Sequence, residues 1–532
     1  MTVLGALISP VVRFFKTAPD RPVLEDGNQV RRLYETKRLT VFLSLLFGYS
    51  FFYVCRSTFS VIKKPMLDEG ILNADQMGVI GSALFFTYAV GKLVNGFLAD
   101  RSNIARIVAT GLLGSAVIIF LFGFTRIYFV FVILWGLNGW FQSMGASPCG
   151  ASLSQWFSNR ERGTRYGIWS TAHSIGEGLS FLLTATLVAY FSWRWGMWSI
   201  GLFCIFIALV MYRTLGDRPQ TYGLPPIADY KNDHSADPAE ARISVGRAQL
   251  EVLKNPYVWI LGMSSVCMYI SRYGINNWGM LYLQEAKSYT LISAGQVFLC
   301  MKIMETIGTA CCGLISDAFF ASRRNVTTLI YGMVQVTGLI ILFLAPSTYV
   351  GGLDRSMAAH LTGGAPGTQL AQALSDKGIA LPKDTLVSSM TVGDKTSWTL
   401  SPNAWYLSWK GYRIADTGTQ LSISHKYGIW HLVGVSCFGF GLGGLLAFIG
   451  GLIAIDICSK KASGAAMGVV GVFSYLGASL QDRVSGHLIE TGKMVVNNET
   501  VHDFTTAYLF WLAAAILSVL ISCTLWNVRQ KE

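Results

Sequence analysis

Two arginines stand inside long apolar runs of this 532-residue sequence: Arg56 in Tyr49-Ser-Phe-Phe-Tyr53-Val-Cys-Arg56, and Arg272 in Tyr269-Ile-Ser-Arg272-Tyr273. A charged side chain in such a run costs several kcal/mol unless it is solvated or paired, so its presence points to function. Arginine stays protonated, and its planar fork matches two oxygens of a phosphate or carboxylate. The alternatives are snorkelling to an interface or pairing with a structural carboxylate. No carboxylate is obvious in the same spans, so two forks converging on one dianion are expected. Lys92, in Tyr88-Ala-Val-Gly-Lys92, adds a third cation; its alternative is to reach toward Asp100. His173, in Trp169-Ser-Thr-Ala-His173, would on spacing alone be a packed core residue. Beside a cationic cavity it becomes a candidate for handling a ligand proton. Tyr49, Tyr53, Tyr88, Gln142 and Tyr269 lie near the charged positions, with ligand hydrogen bonding and plain helix packing equally open for each. Lys302 and Glu305, three apart, read as a local i,i+3 pair. Glu177 sits between Gly176 and Gly178 and gains no role from its spacing. Asp100 and Asp317 close helices next to basic loops and are expected to act as gates rather than to touch a ligand.

The elements that must hold these residues are membrane-spanning helices. The chain is 52% hydrophobic and 14% charged, where soluble domains run near about 25% charged; its mean hydropathy is +0.44. A large soluble enzyme is excluded. Apolar runs recur at about 39–61, 76–99, 105–124, 127–157, 166–191 and 195–213, then at about 256–283, 291–316, 325–345, 428–455, 462–481 and 505–527. These twelve spans fall into two sets of six. The divisions expected are an N-terminal segment 1–38, a first bundle 39–213, a linker 214–255, a second bundle 256–527 and a tail 528–532. Basic loops follow the even spans (Arg106, Arg160 with Arg162, Arg323-Arg324, Lys460-Lys461), which predicts cytoplasmic termini. The same bias explains the net charge of +12 without nucleic acid, although a basic cavity for an anion is compatible with it. The ten cysteines fall in or beside apolar stretches, so free thiols are expected. No cleavable signal peptide is visible at the start.

A repeat links the two halves. Gly96-Phe-Leu-Ala-Asp100 and Gly313-Leu-Ile-Ser-Asp317 are offset by 217 residues, and Arg56 and Arg272 by 216. Such a duplication is expected of a six-plus-six carrier with its site between the halves near the midplane. Residues 346–427 do not fit, because helix connections are normally a few residues long. This extracytoplasmic insertion carries Trp398, Trp405, Tyr406, Trp409 and Tyr412 and reads as a small lid or disordered segment, or as an interaction module. Walker A, metal-ligand and nucleophile-elbow patterns are absent, so neither an enzyme nor an ATP-driven pump is expected, and no cofactor or metal.

At these residues the chain resembles the organophosphate:phosphate antiporter family of the major facilitator superfamily. The resemblance covers about 39–345 and 428–527. It rests on Gly48-Tyr-Ser-Phe-Phe-Tyr-Val-Cys-Arg56, Gly91-Lys92 through Asp100-Arg-Ser-Asn103, Gly139-Trp-Phe-Gln142, Glu161-Arg-Gly163 and Ala172-His173. It continues in Asp217-Arg-Pro-Gln220, Gly223-Leu-Pro-Pro226, Arg272-Tyr-Gly274, Lys460-Lys461-Ala462 and Gly471-Val-Phe-Ser-Tyr-Leu-Gly477. The resemblance implies an all-α fold of two pseudo-symmetric six-helix bundles, with Arg56 and Arg272 clamping phosphate and Lys92 and His173 assisting. Departures bear on the substrate. Hexose-phosphate carriers have an Asp and a Lys where this chain has Met467 and Val470, and glycerol-phosphate carriers have Trp-Asn where it has Trp169-Ser170. The segment Asp217-Arg-Pro-Gln220 is similar to the hexose-phosphate sensor branch. The expectation is therefore a monomeric inner-membrane antiporter exchanging a hexose phosphate, glucose 6-phosphate first and glycerol 3-phosphate second, for inorganic phosphate. A sugar-phosphate receptor signalling to a histidine kinase is the alternative. With three cations and no obvious carboxylate in the cavity, closing it empty should be costly, so obligatory exchange is expected.

Overall fold

The computed structural model describes residues 13–99, 102–233, 252–320, 324–361, 368–375, 385–392, 395–402, 412–416, 420–453, 463–496 and 499–525. The first half holds α1 (Gly27–Asp68), α2 (Ala74–Ala99), α3 (Ile104–Phe122), α4 (Tyr128–Trp156), α5 (Asn159–Ser170), α6 (Ala172–Tyr190) and α7 (Trp193–Thr214). Helices α5 and α6 form one span, meeting at Thr171. The second half holds α8 (Pro256–Glu285), α9 (Leu291–Phe320), α10 (Arg324–Leu344), α11 (Ile429–Ala447), α12 (Ser463–Thr491) and α13 (Thr505–Thr524). Ten spans among the described residues are long and apolar enough to cross a membrane. Helices α8 and α12 have the length, at 30 and 29 residues, and complete two bundles of six. Both carry polar positions, such as Arg272 and Asn276 on α8 and Asp482 on α12.

Local sequence sets the helix starts. Asp26 accepts from the Asn28 amide at 2.9 Å, Asn103 from Arg106 at 3.0 Å and Asn255 from Tyr257 at 3.0 Å, with Pro256 pre-set for the first turn. At the end of the molecule that carries the N-terminal segment and the linker, Asp217 ties the first bundle together. Its carboxylate accepts from the Ile104 amide at 2.9 Å, and its carbonyl from the Trp156 indole at 3.0 Å. Burial pushes the Asp217 carboxyl up from its ordinary value. Arg38 of α1 pairs there with Glu161 of α5.

At the opposite end, between α10 and α11, the insertion forms a five-stranded antiparallel sheet in the order β1-β5-β4-β3-β2. The strands are β1 (Tyr349–Leu353), β2 (Thr385–Val392), β3 (Lys395–Pro402), β4 (Tyr412–Asp416) and β5 (Leu421–His425). Alternate residues Trp398 and Leu400, then Ile414, then Leu421 and Ile423 share one buried face. Leu361 lies in the helical turn Arg355–Leu361, Leu370 and Leu374 in the helix Thr368–Ser375, and these three cover that face. The insertion thus has a core of its own, an ordered fold that the polar composition did not predict. Trp405, Tyr406 and Trp409 lie outside the described residues, as do Lys460 and Lys461. A hairpin of β6 (Lys493–Val496) and β7 (Glu499–His502) joins α12 to α13 at the same end.

The halves meet through α2 against α12 and α6 against α9. Contact is tightest toward the insertion end. Ser82 donates to the Ser479 carbonyl at 2.7 Å, and Ser479 to the Ser82 carbonyl at 3.0 Å. A Cβ on Gly78 would come within 3.0 Å of the Gly486 Cα and 2.6 Å of the Asp482 carbonyl oxygen. The Ala74 amide donates to Glu490 at 2.9 Å.

Candidate functional site

Each helix of the site contributes one stripe of side chains. On α1, Tyr49, Tyr53 and Arg56 follow the i, i+4, i+7 spacing of a single face, as do Tyr269, Arg272 and Asn276 on α8 with i, i+3, i+7. Tyr88 and Lys92 share a face of α2, His173 and Glu177 one of α6, and Lys302 and Glu305 one of α9. Packing α2 on α12 and α6 on α9 turns these stripes toward one another across the boundary between the halves.

The arginines lie within a cage of tyrosines. The Arg56 guanidinium carbon stands 4.9 Å from the centre of the Tyr53 ring and 4.6 Å from that of Tyr88. Its Nη1 donates to the Tyr273 hydroxyl at 3.2 Å, across the two halves. Arg272 stands 5.6 Å from the Tyr269 ring centre and 5.2 Å from that of Tyr273. Both distances suit cation–π attraction. Tyr475 of α12 packs 4.1 Å from Tyr88 and 5.6 Å from Tyr269. It also lies 5.5 Å from the Lys92 ammonium. Lys92 therefore crosses to α12, close beside Gly471. Tyr49 stacks on Trp169 at 4.7 Å and meets Tyr53 edge-on at 5.4 Å. Of the residues expected near the anion, Gln142 is placed elsewhere. Its amide donates to the Phe52 carbonyl at 2.8 Å and to Ser115 at 3.3 Å, tying α4 to α1 and α3 inside the first bundle.

The expectation that no carboxylate neutralises the cations is overturned. Glu177 and Glu305 are buried at 1% and 0% exposure. Lys302 Nζ lies 2.5 Å from Glu177 Oε2, 2.6 Å from Glu305 Oε2 and 3.0 Å from Asn276 Oδ1. Arg272 Nη2 stands 3.7 Å from Glu177 Oε1 and 3.6 Å from Glu305 Oε1. His173 places Nε2 3.3 Å from Glu305 Oε1 and its other ring nitrogen against the Ser170 carbonyl. The local Lys302–Glu305 pair is thus one edge of a larger network. The missing carboxylates come from α6 and α9, not from the arginines' own helices, so inspection of single spans could not find them. Tyr273 and Tyr475 were also missed. The first directly follows Arg272; the second gains its place only from where α12 crosses α2.

Asp100 lies outside the described residues, and of Asp317 the structure describes the place in α9 but not the side chain. A second buried group closes the insertion end. Asp482 of α12 accepts from Asn277 at 2.8 Å and from the Trp278 indole at 2.9 Å, and Lys63 of α1 sits 3.3 Å over the Trp278 ring. Beyond it, a cavity of about 790 Å³ is lined by Lys64, Asp68, Glu285, Glu490 and His502, among others. Among the described residues no cluster of His, Cys, Asp and Glu could hold a metal ion, and the nine described cysteines are free.

Comparison with known proteins agrees with this architecture. Residues 45–381 match the model of the Major Facilitator Superfamily. The "Membrane sensor protein UhpC" of Salmonella typhimurium is 32% identical over 64% of this chain and 78% of its own length. The "Probable hexose phosphate transport protein" of Chlamydia pneumoniae is 28% identical over 98% of both chains. The "Glycerol-3-phosphate transporter" of Bacillus subtilis is 27% identical over 98% of this chain and 99% of its own length. Among solved structures, an inward-facing bacterial homologue of the human lysosomal transporter Spinster superposes with a TM-score of 0.62 at 14% identity, covering 93% of this chain and 99% of its own. That likeness concerns the fold alone. The chain belongs to the Major Facilitator Superfamily, in its organophosphate:phosphate antiporter branch, and is a multi-pass membrane transporter rather than an enzyme.

Proposed function

We propose that the protein exchanges a hexose phosphate, glucose 6-phosphate first, for inorganic phosphate across the inner membrane, with Arg56 and Arg272 as the phosphate clamp. The observation that carries this reading is the convergence of two buried guanidinium groups, one from each half, on Tyr273. Each half supplies one fork, so a phosphate held by both is bound at the boundary that must open and close in alternating access. Lys92 adds charge, while Tyr53, Tyr88 and Tyr269 shape the cavity and offer hydroxyls to oxygens of the ligand. The basic residues near the linker end support a cytoplasmic orientation of that end and of both termini. The insertion end then faces outward, and the Ser82–Ser479 and Gly78–Gly486 contacts hold the outer side shut. The 28% relative named as a hexose phosphate transport protein supports the substrate class over its whole length.

The protein reconstituted in vesicles tests this. Vesicles are loaded with phosphate or left empty, and uptake of labelled glucose 6-phosphate is followed, with unlabelled organophosphates as competitors. Uptake only into loaded vesicles is expected. Equal uptake into both rejects obligatory exchange, and preferred competition by glycerol 3-phosphate reassigns the substrate. Tight binding without uptake in either favours the receptor alternative, which the 32% sensor relative keeps open.

A further inference from the structure

Glu177 enters the clamp from the opposite half. It belongs to α6, whereas Arg272, Asn276, Lys302 and Glu305 belong to α8 and α9. Its Oε2 takes the Lys302 ammonium at 2.5 Å and the Asn276 amide at 3.2 Å, while its Oε1 faces Arg272 at 3.7 Å. Arg272 makes no hydrogen bond to it: both Nε and Nη2 of this buried guanidinium lack an acceptor. Such donors are costly to leave unsatisfied, and they form the edge that a bidentate oxyanion would take. The carboxylate is therefore anchored by Lys302 and Asn276 and only balances Arg272 through space.

The charge count gives this arrangement a consequence. Arg56, Lys92, Arg272 and Lys302 contribute four positive charges, and Glu177 and Glu305 two negative ones, so these six side chains together carry two. That balances one phosphate dianion. We infer that Glu177 is a positioning and selectivity residue: an internal anion that offsets Arg272 and Lys302, limits the affinity for phosphate, and sets the preference for a dianion over a monoanion. This rests on the phosphate-exchange reading above. The groups facing Glu177 are Lys302 and Glu305 from α9, Arg272 from α8 and His173 on its own helix. All except Glu177 and Lys302 are left unchanged in the test.

The purified full chain in detergent is titrated with inorganic phosphate at about pH 7.5 and about pH 5.5, where dianion and monoanion respectively predominate, and exchange is measured in vesicles. The unsubstituted protein should bind better at the higher pH. Glu177→Gln raises the site to three positive charges, so phosphate should bind about tenfold tighter or more at both pH values while exchange slows through slow release. Lys302→Gln lowers the site to one positive charge and should reverse the order, with better binding at the lower pH. The double variant E177Q/K302Q restores two charges and should restore the original order. It also removes both partners of the Glu177–Lys302 contact together, with Glu305 still facing Arg272 at 3.6 Å, and so carries the comparison if Glu177→Gln alone does not fold. Unchanged affinity in Glu177→Gln, or a double variant that keeps the Lys302→Gln order, would overturn the inference. Failure of the exchange reading itself looks different: the unsubstituted protein would bind phosphate without exchanging it, or bind neither phosphate nor glucose 6-phosphate.

Discussion

Tyr53 and Tyr269 each stand three residues before an arginine, and that spacing puts ring and guanidinium on one helical face. The residue types alone identified Arg56, Arg272, Lys92 and His173 as worth following, because ionisable groups inside apolar spans are rare. What each touches was not legible. Arg272 keeps Nε and Nη2 without a hydrogen-bond acceptor, whereas Arg56 donates a hydrogen bond from Nη1 to the Tyr273 hydroxyl. Replacing either arginine by lysine keeps the charge but removes the fork. Arg272→Lys is expected to lower labelled-phosphate counterflow by at least about tenfold while the protein still reaches the membrane; near-normal counterflow would rule out the clamp. Gln142 gives the contrasting case. Gln142→Ala removes the hydrogen bonds that tie α4 to the Phe52 carbonyl and to Ser115, at a cost of about 1 kcal/mol. A lower melting temperature is expected, with the phosphate affinity of the folded protein unchanged; an altered affinity would return Gln142 to the site.

At the scale of helices, apolar periodicity located the spans well, and departures from it marked the stripes that face the interior. Helices α8 and α12 carry polar groups that are paired between helices: Asn276 reaches Glu177 of the partner half, and Asn277 and Asp482 pair with each other. Glycine at positions 78 and 486 answers to the same contact, since α2 and α12 approach there until no side chain fits. Gly486→Val would place methyl groups against Gly78 and the Ala74 carbonyl oxygen, which a Cβ already meets at 2.6 Å. The closed arrangement of the insertion end is then expected to lose population to an open one, with exchange reduced by about tenfold or more. Labelling of a cysteine placed near Asp482, from the insertion side of sealed vesicles, measures the shift. Labelling as slow as in the parent would show that the glycine contact does not hold this end shut.

For the whole molecule, the insertion and the bundles have separate hydrophobic cores. The insertion joins the bundles through a narrow stem, where Tyr349 pairs with Ser424 and Leu353 with Leu421. Opposed residues in an antiparallel pair are only about 5 Å apart, so a short glycine–serine linker replacing residues 350–422 spans the gap. Phosphate exchange should remain measurable in that variant. A well-inserted, folded protein that binds no substrate would place the sheet in the transport pathway. Read alone, the sequence determined the membrane class, the twelve spans, the duplication and the buried cations, because apolar length, loop charge and an ionisable group in an apolar run are properties of a single segment. The tertiary structure alone decided that Glu177 and Lys302 join Arg272, that Tyr475 reaches Lys92, that Gln142 stays inside one bundle, and that the described strands of the insertion form a sheet with its own core. Each of these depends on which helix or strand face meets which neighbour. Contact between residues tens to hundreds of positions apart leaves no trace in the local pattern of either segment.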